Sequence, residues 1–475
     1  MMAVTRPIRA RRITKASRVV ALLTAGAVVA TLAPPSVPAR AQFAPAGLPV
    51  IRDAEIEQLL RDYTLPVLRA AGLAQQNVQI VIISDRGFNA FVMDGKRIFV
   101  NAGALLDSKV PNEIIGVLAH ETGHIAGGHL SKMREQMANA QTQAIIAMLL
   151  GVGAMIAGGG GNSGMSQAGA AAIQAPQEVI RRSLLSYIRG QEDQADRAAV
   201  KFLNATGQSS KGMSDTFKRL SEQIMYAARD ANPYLQTHPL PADRVAALEG
   251  EARKSPYWDR KDSPELQLRH DLARAKLSGF MERADTVARR YPPTDTSLPA
   301  RYARAISSYR FKDVRGALSQ IDALIETQPN NPYFHELKGQ ALLESGRGSE
   351  AIAPLRRGIS LAPNPALIQI LLAQAMIATT DKRMAEEAVG LLRTALAREP
   401  EVPEGYTQLA MAYGQKGDLA QADLASAQAA FSRGDVKTAR ELALRAKTRF
   451  PVGSPGWVKA DDIVITKLPP QRPRR

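Results

Sequence analysis

The chain has 475 residues, 45% of them apolar, which is enough for two or more domains that each bury a core. It has no cysteine, so disulfides, thiolate metal sites, a cysteine nucleophile and a lipidated N-terminal cysteine are all excluded. The formal charge is +16, and residues 1–41 hold seven basic and no acidic side chains, leaving about +9 beyond them.

An excess of that size reads as a solvated surface, with attraction to an anionic membrane face left open. No basic motif with interleaved aromatics points to nucleic acid. The N-terminus reads as an export signal: Arg6, Arg9, Arg11, Arg12, Lys15 and Arg18 precede an apolar run from Val19 to Ala33, then Pro34, Pro35 and Ala39-Arg40-Ala41. The run is short for a span of about 20 residues, so cleavage after Ala41 and an exported mature chain are expected.

Residues 50–72 have helical spacing through Ile51, Ile56, Leu59, Leu60, Tyr63, Val67 and Leu68. The period then shortens. Segments 78–83, 89–93 and 97–100 read as strands, with Asp94-Gly95 turning between the last two and Asn89 to Val92 as the candidate edge strand. Such an edge can pair with an extended peptide backbone, or can simply be structural.

Pro111 then opens a helix that carries His120-Glu121-Thr122-Gly123-His124 and ends at Gly127-Gly128. At about 100° per residue, His120 and His124 lie about 40° apart, so both imidazoles can converge on one metal ion with Glu121 beside them. That arrangement suits zinc-assisted hydrolysis with Glu121 as general base.

Residues 144–158 are apolar all round and lead into the glycines and alanines of 159–172. Fifteen residues are short for a bilayer, so the expectation is a buried or hinged helix, or else a lid or membrane-touching loop over 144–172. A further helix over 186–203 places Glu192 and Asp196 on one face.

From about residue 265 the pattern is wholly helical and repeats. Pro329, Pro363 and Pro400 are spaced 34 and 37 residues apart, and Ala317, Ala351 and Ala388 share those intervals. This is the tetratricopeptide period, with an insertion expected near Thr379-Thr380-Asp381, a half unit over 431–451 and a frayed tail over 452–475.

Two imidazoles leave a catalytic zinc short of one protein ligand. A third His close behind the motif would have to be residue 130, which is Leu130; His129 comes one position early and reads as a helix-end or surface residue. Glu192 could serve instead, with Asp196 accepting the second ring N–H of a ligating His, although an acidic pair on a solvated helix has the same spacing.

Taken together, Asn89-Ala-Phe91, His120-Glu-Thr-Gly-His124, Glu192-x-x-Ala-Asp196 and Thr237-His-Pro-Leu-Pro-Ala-Asp-Arg244 resemble the CAAX-prenyl-protease-like family of gluzincin metallopeptidases. The resemblance implies a mostly α protein: an α+β gluzincin domain over 42–262, followed by a tetratricopeptide α-solenoid over 263–451. It implies one zinc ion on His120, His124 and Glu192, Glu121 as the base, and Asp196 as the acid behind the ligands.

His238 then matches a residue that either sits on the zinc at rest or approaches the developing oxyanion. Arg244 matches an arginine whose role is charge stabilisation or an ion pair. The implied function is a periplasmic zinc endopeptidase whose repeats hold outer-membrane proteins or their assembly machinery. The other expectation is a chaperone or adaptor with a latched or silent metal domain.

Overall fold

The computed structural model describes residues 48–139, 185–226, 233–311 and 313–466. The expected export signal and the 144–172 segment lie outside the described residues. Among the described residues no helix is long and apolar enough to cross a membrane.

The N-terminal half packs helices on a small sheet. Strand β1 (Val50–Ile51) leads into helix α1 (Ala54–Ala70), followed by β2 (Gln79–Ile83), β3 (Ala90–Val92) and β4 (Arg97–Asn101). Helices α2 (Ala102–Asp107) and α3 (Pro111–Ala126) come next, then helical residues 129–139 (α4) and 185–205 (α5). Helices α6 (Lys211–Tyr226), α7 (Pro233–Thr237) and α8 (Ala242–Ala252) complete this half.

Helix α1 starts where the Asp53 side chain accepts from the Glu55 and Ile56 amides, and it buries the stripe Ile56, Leu59, Leu60, Tyr63 and Val67. The sheet order is β1-β2-β4-β3, with β2 and β4 parallel and the outer pairs antiparallel. Strand β3 is therefore an edge, as expected. It is held by the hairpin through Asp94 and Gly95 (φ +76°) and by Phe91 stacked on Phe99.

Helix α3 runs through the core, with every residue from Pro111 to Gly123 buried. Its glycines set how near its neighbours come. A Cβ on Gly116 would lie 2.4 Å from Met213 Cβ of α6, and one on Gly123 would lie 2.8 Å from the Ala195 carbonyl of α5. Both helices therefore sit against the backbone of α3, which brings Glu192 within reach of the two histidines.

Helix α9 (Pro264–Met281), capped by Ser263, and α10 (Ala284–Arg290) lead into antiparallel helix pairs. These are α11 (Leu298–Arg310) with α12 (Val314–Thr327), α13 (Pro332–Glu344) with α14 (Gly348–Leu361), and α15 (Ala366–Ala378) with α16 (Lys382–Arg398). Helices α17 (Pro403–Lys416), α18 (Leu419–Ser432), α19 (Val436–Arg449) and α20 (Pro455–Ile465) follow.

Two expectations are corrected here. The long repeat has no insertion at 379–381: α16 has 17 residues where α14 has 14, so the extra turn lies in the helix. Buried Ala385 is then the counterpart of Ala317 and Ala351, each at the fourth position of its helix, and Ala388 lies one turn further on.

The tail is also not frayed over 455–465. Ser454 caps α20, Pro455 opens it, and Gly456, Ala460 and Ile463 are buried against the preceding helices. The prolines at 469, 470 and 473 suggested a tail, but they lie beyond this helix.

The two halves are joined through buried polar groups. Lys276 of α9, only 3% exposed, places Nζ 2.8 Å from Asp53, 3.3 Å from Glu336 and 3.4 Å from Glu55, and Tyr302 donates to Glu55 at 2.9 Å. Arg52 bridges Glu57 and Glu399.

His270 of α9 is 3.0 Å from the Tyr63 hydroxyl on one side and 3.0 Å from the Ser108 carbonyl on the other. Burial lowers its pKa from 6.5 to about 4, more than the Ser108 bond raises it. The unfolded chain therefore binds a proton below about pH 6.5 that the folded one refuses down to about pH 4, so this contribution is complete at neutral pH and is lost as pH falls. A His270→Gln variant, which cannot titrate, is expected to lose about 2 to 3 kcal/mol less stability than the parent between about pH 7 and about pH 4.5. Urea unfolding of both at the two pH values measures it.

Candidate metal centre

Helix α3 presents His120 and His124 one turn apart, and α5 presents Glu192 and Asp196 one turn apart. The Nε2 atoms of the two histidines are 3.0 Å from each other. Glu192 brings Oε2 to 3.4 Å from His120 Nε2 and Oε1 to 3.4 Å from His124 Nε2. His238, just after α7, places Nδ1 3.0 Å from Glu192 Oε2 and 3.4 Å from His120 Nε2.

One donor atom from each of these four residues lies within 4.8 Å of all the others. A tetrahedral site with bonds of about 2.1 Å has edges of about 3.4 Å, so the nitrogen and oxygen donors and their spacing fit a divalent ion.

Behind the donors, Asp196 Oδ1 lies 2.9 Å from His120 Nδ1, the distance at which it accepts the second ring N–H. Arg244 grips the same carboxylate with two bonds, Nε to Oδ2 at 2.7 Å and Nη2 to Oδ1 at 2.9 Å. Its Nη1 lies 2.9 Å from Glu192 Oε2 and donates to the Pro239 carbonyl at 2.8 Å. The guanidinium is thus directed at the two carboxylates of α5.

Glu121 is fully buried, and neither carboxyl oxygen has a hydrogen-bond partner among the described residues. His238 places Nε2 3.5 Å from Oε1. An aromatic wall, which the sequence does not announce, backs the site: Tyr234 stacks on His238 at 4.7 Å, and Phe217 meets His120 edge-on at 5.4 Å.

Burial and charge act against each other here. Burial disfavours a proton on His120, but the hydrogen bonds to Asp196 and Glu192 outweigh it and raise the pKa to about 9. Burial alone would raise Glu192 and Asp196, yet His238 and His120 hold Glu192 well below the usual carboxylate range, and Arg244 and His120 lower Asp196. Glu121, lacking such bonds, is raised by burial.

His129 is a helix-end residue, the first of α4, as the sequence reading allowed, but it does not lie on the surface. It is 3% exposed, and its Nδ1 lies 3.0 Å from His124 Nδ1, away from the four donors. The signal for it was the Gly127-Gly128 pair, which folds the chain back so that the next residue returns to the helix just ended.

The comparisons with known proteins agree with this class of site. Residues 51–252 match the model of peptidase family M48, and residues 302–365 match that of the tetratricopeptide repeat. The chain thus carries a segment similar to M48 peptidases ahead of one similar to tetratricopeptide repeats.

In particular, it resembles the beta-barrel assembly-enhancing proteases. It is 23% identical over 418 residues to that of Yersinia pestis, covering 86% of this chain and 82% of the relative. A Vibrio cholerae serotype O1 protein provisionally given the same name is 28% identical over 294 residues, 60% of this chain and 58% of that one. The metalloprotease YcaL of Escherichia coli K12 is 30% identical over 146 residues, 30% of this chain and 51% of that one. The chain therefore spans less than two thirds of the length of the latter two.

Removing the acid behind His120 tests the centre directly. Asp196→Ala is expected to weaken divalent-metal binding about 10- to 100-fold, read by competition with a chelator of known affinity.

Proposed function

We propose that this chain is a periplasmic zinc endopeptidase in the quality control or assembly of outer-membrane proteins, with residues 42–262 as catalytic domain and 263–451 as the solenoid that holds substrate or assembly machinery. The observation that carries this reading is the unbonded, buried Glu121 carboxylate beside four converging donor atoms. A structural metal would need no such group.

In this reading His120, His124 and Glu192 hold the zinc. When bound, zinc polarises the scissile carbonyl and makes a water acidic enough to be deprotonated near neutral pH. Glu121 takes that proton on a carboxyl oxygen and hands it to the leaving amine, so the carboxylate is regenerated. Asp196 fixes the tautomer of His120, and Arg244 acts on Asp196 and Glu192 as an ion pair.

Among the described residues the outer side of β3 is unpaired, and it offers main-chain hydrogen bonds to an extended substrate, which suits unfolded stretches of protein better than folded ones. Export to the periplasm rests on the N-terminal pattern, and the outer-membrane connection rests on the named relatives.

A second reading is favoured by His238. Its Nδ1 stands among the donors, where it would close the fourth metal position and leave the enzyme latched, so that the solenoid serves as chaperone or adaptor until the latch moves.

Glu121→Gln is expected to retain zinc and lose cleavage of casein or a misfolded outer-membrane barrel by at least about a hundredfold. Unchanged cleavage refutes the peptidase assignment. His238→Ala is expected to raise basal cleavage of the same substrates. Loss of all activity with zinc and fold intact would instead assign His238 to the oxyanion.

A further inference from the structure

A histidine that binds a metal through one ring nitrogen is held in place by what its other nitrogen bonds. For His120 that partner is Asp196. For His124 the structure places a second imidazole there: His129 Nδ1 lies 3.0 Å from His124 Nδ1, and the two rings meet edge to face with centroids 5.0 Å apart.

The turn between them is shaped for this contact. Gly128 adopts φ +62°, which reverses the chain after α3. A Cβ on Gly127 would lie 2.2 Å from His129 Nε2 and 2.6 Å from its Cδ2, so the ring occupies the space that any other residue at 127 would fill. Gln191, the neighbour of Glu192, donates from Nε2 to the His129 carbonyl at 3.1 Å, tying the turn to the helix that carries the third donor.

We propose that His129 is a positioning residue for the metal centre, and that Gly127-Gly128-His129 is the device that aims His124. The proposal rests on the reading of His120, His124 and Glu192 as metal ligands. With Nε2 of His124 turned to the donors, its Nδ1 carries the proton and donates to Nδ1 of His129, which leaves the His129 proton on Nε2. One ligand histidine is then backed by a carboxylate and the other by a neutral ring. The neutral acceptor orients His124 without adding another negative charge to a pocket that already holds Glu121, Glu192 and Asp196.

His129 also lines a cavity of 560 Å³ with Gln191 and Gln194, so shortening its side chain enlarges an existing space.

The test uses the full chain, with zinc affinity measured by chelator competition and the site geometry read from the absorption spectrum of the cobalt-substituted protein. His129→Ala is expected to weaken zinc binding about 10- to 100-fold and to shift the cobalt bands, with unfolding of the metal-free protein unchanged. Gly127→Ala, which displaces the ring while keeping the histidine, is expected to reproduce both effects. His129→Asn, whose Oδ1 can accept from His124, is expected to restore most of the affinity.

Zinc affinity within about twofold of the parent in His129→Ala, with the same cobalt spectrum, overturns the positioning role, as does an Asn variant no better than Ala. A parent protein that takes up no zinc overturns the metal-centre reading itself, and that result is distinct from the other two.

Discussion

Everything in the N-terminal half depends on burying three carboxylates, Glu121, Glu192 and Asp196, in one pocket. Such a grouping is strongly unfavourable unless its charge is met at close range. Arg244 supplies one positive charge through a two-bond grip on Asp196 and a contact to Glu192. A divalent cation between the histidines would supply the remaining two. The protein part of the centre therefore carries an excess of negative charge that such an ion would offset.

The pocket is assembled by backbone packing as much as by its polar groups. Gly116 and Gly123 let α6 and α5 lie directly on α3, and without that approach Glu192 would stand away from the two rings. The sheet contributes at the margin, presenting β3 as an edge held by the hairpin at Gly95. The solenoid is fastened to the same body through Lys276, whose ammonium is shared by Asp53 and Glu55 at the start of α1 and by Glu336 of α13.

Much of this could be read from the chain. The helix of His120 and His124 declares itself by spacing, with Pro111 at its start and Gly127 at its end, and the hairpin follows from the turn at Asp94-Gly95. The repeats show through their proline period. What was not legible depends on contacts between distant segments. Glu192 and Asp196 have the spacing of any acidic pair on a solvated helix, and only resemblance distinguished them. His129 looked exposed because extrapolating the helix past Gly128 points it away, whereas the left-handed turn brings it back. Phe217 and Tyr234 carry no pattern at all. The extra turn of α16 was mislocated because a change of repeat length gives the interval and not its position within the unit. Helix α20 was hidden by prolines that lie outside it.

The buried ammonium at the joint has a mechanical consequence. Pulling the helical repeats away from the first long helix would strand Lys276 or its carboxylates in a dry environment, so partial hinging at this seam is penalised at its first step. The first repeats are then fixed to the N-terminal half at this seam, not tethered to it. A protein held along the repeats, as proposed, would reach the metal centre at a set distance and angle, and selectivity would then come from where along it the reachable stretch falls.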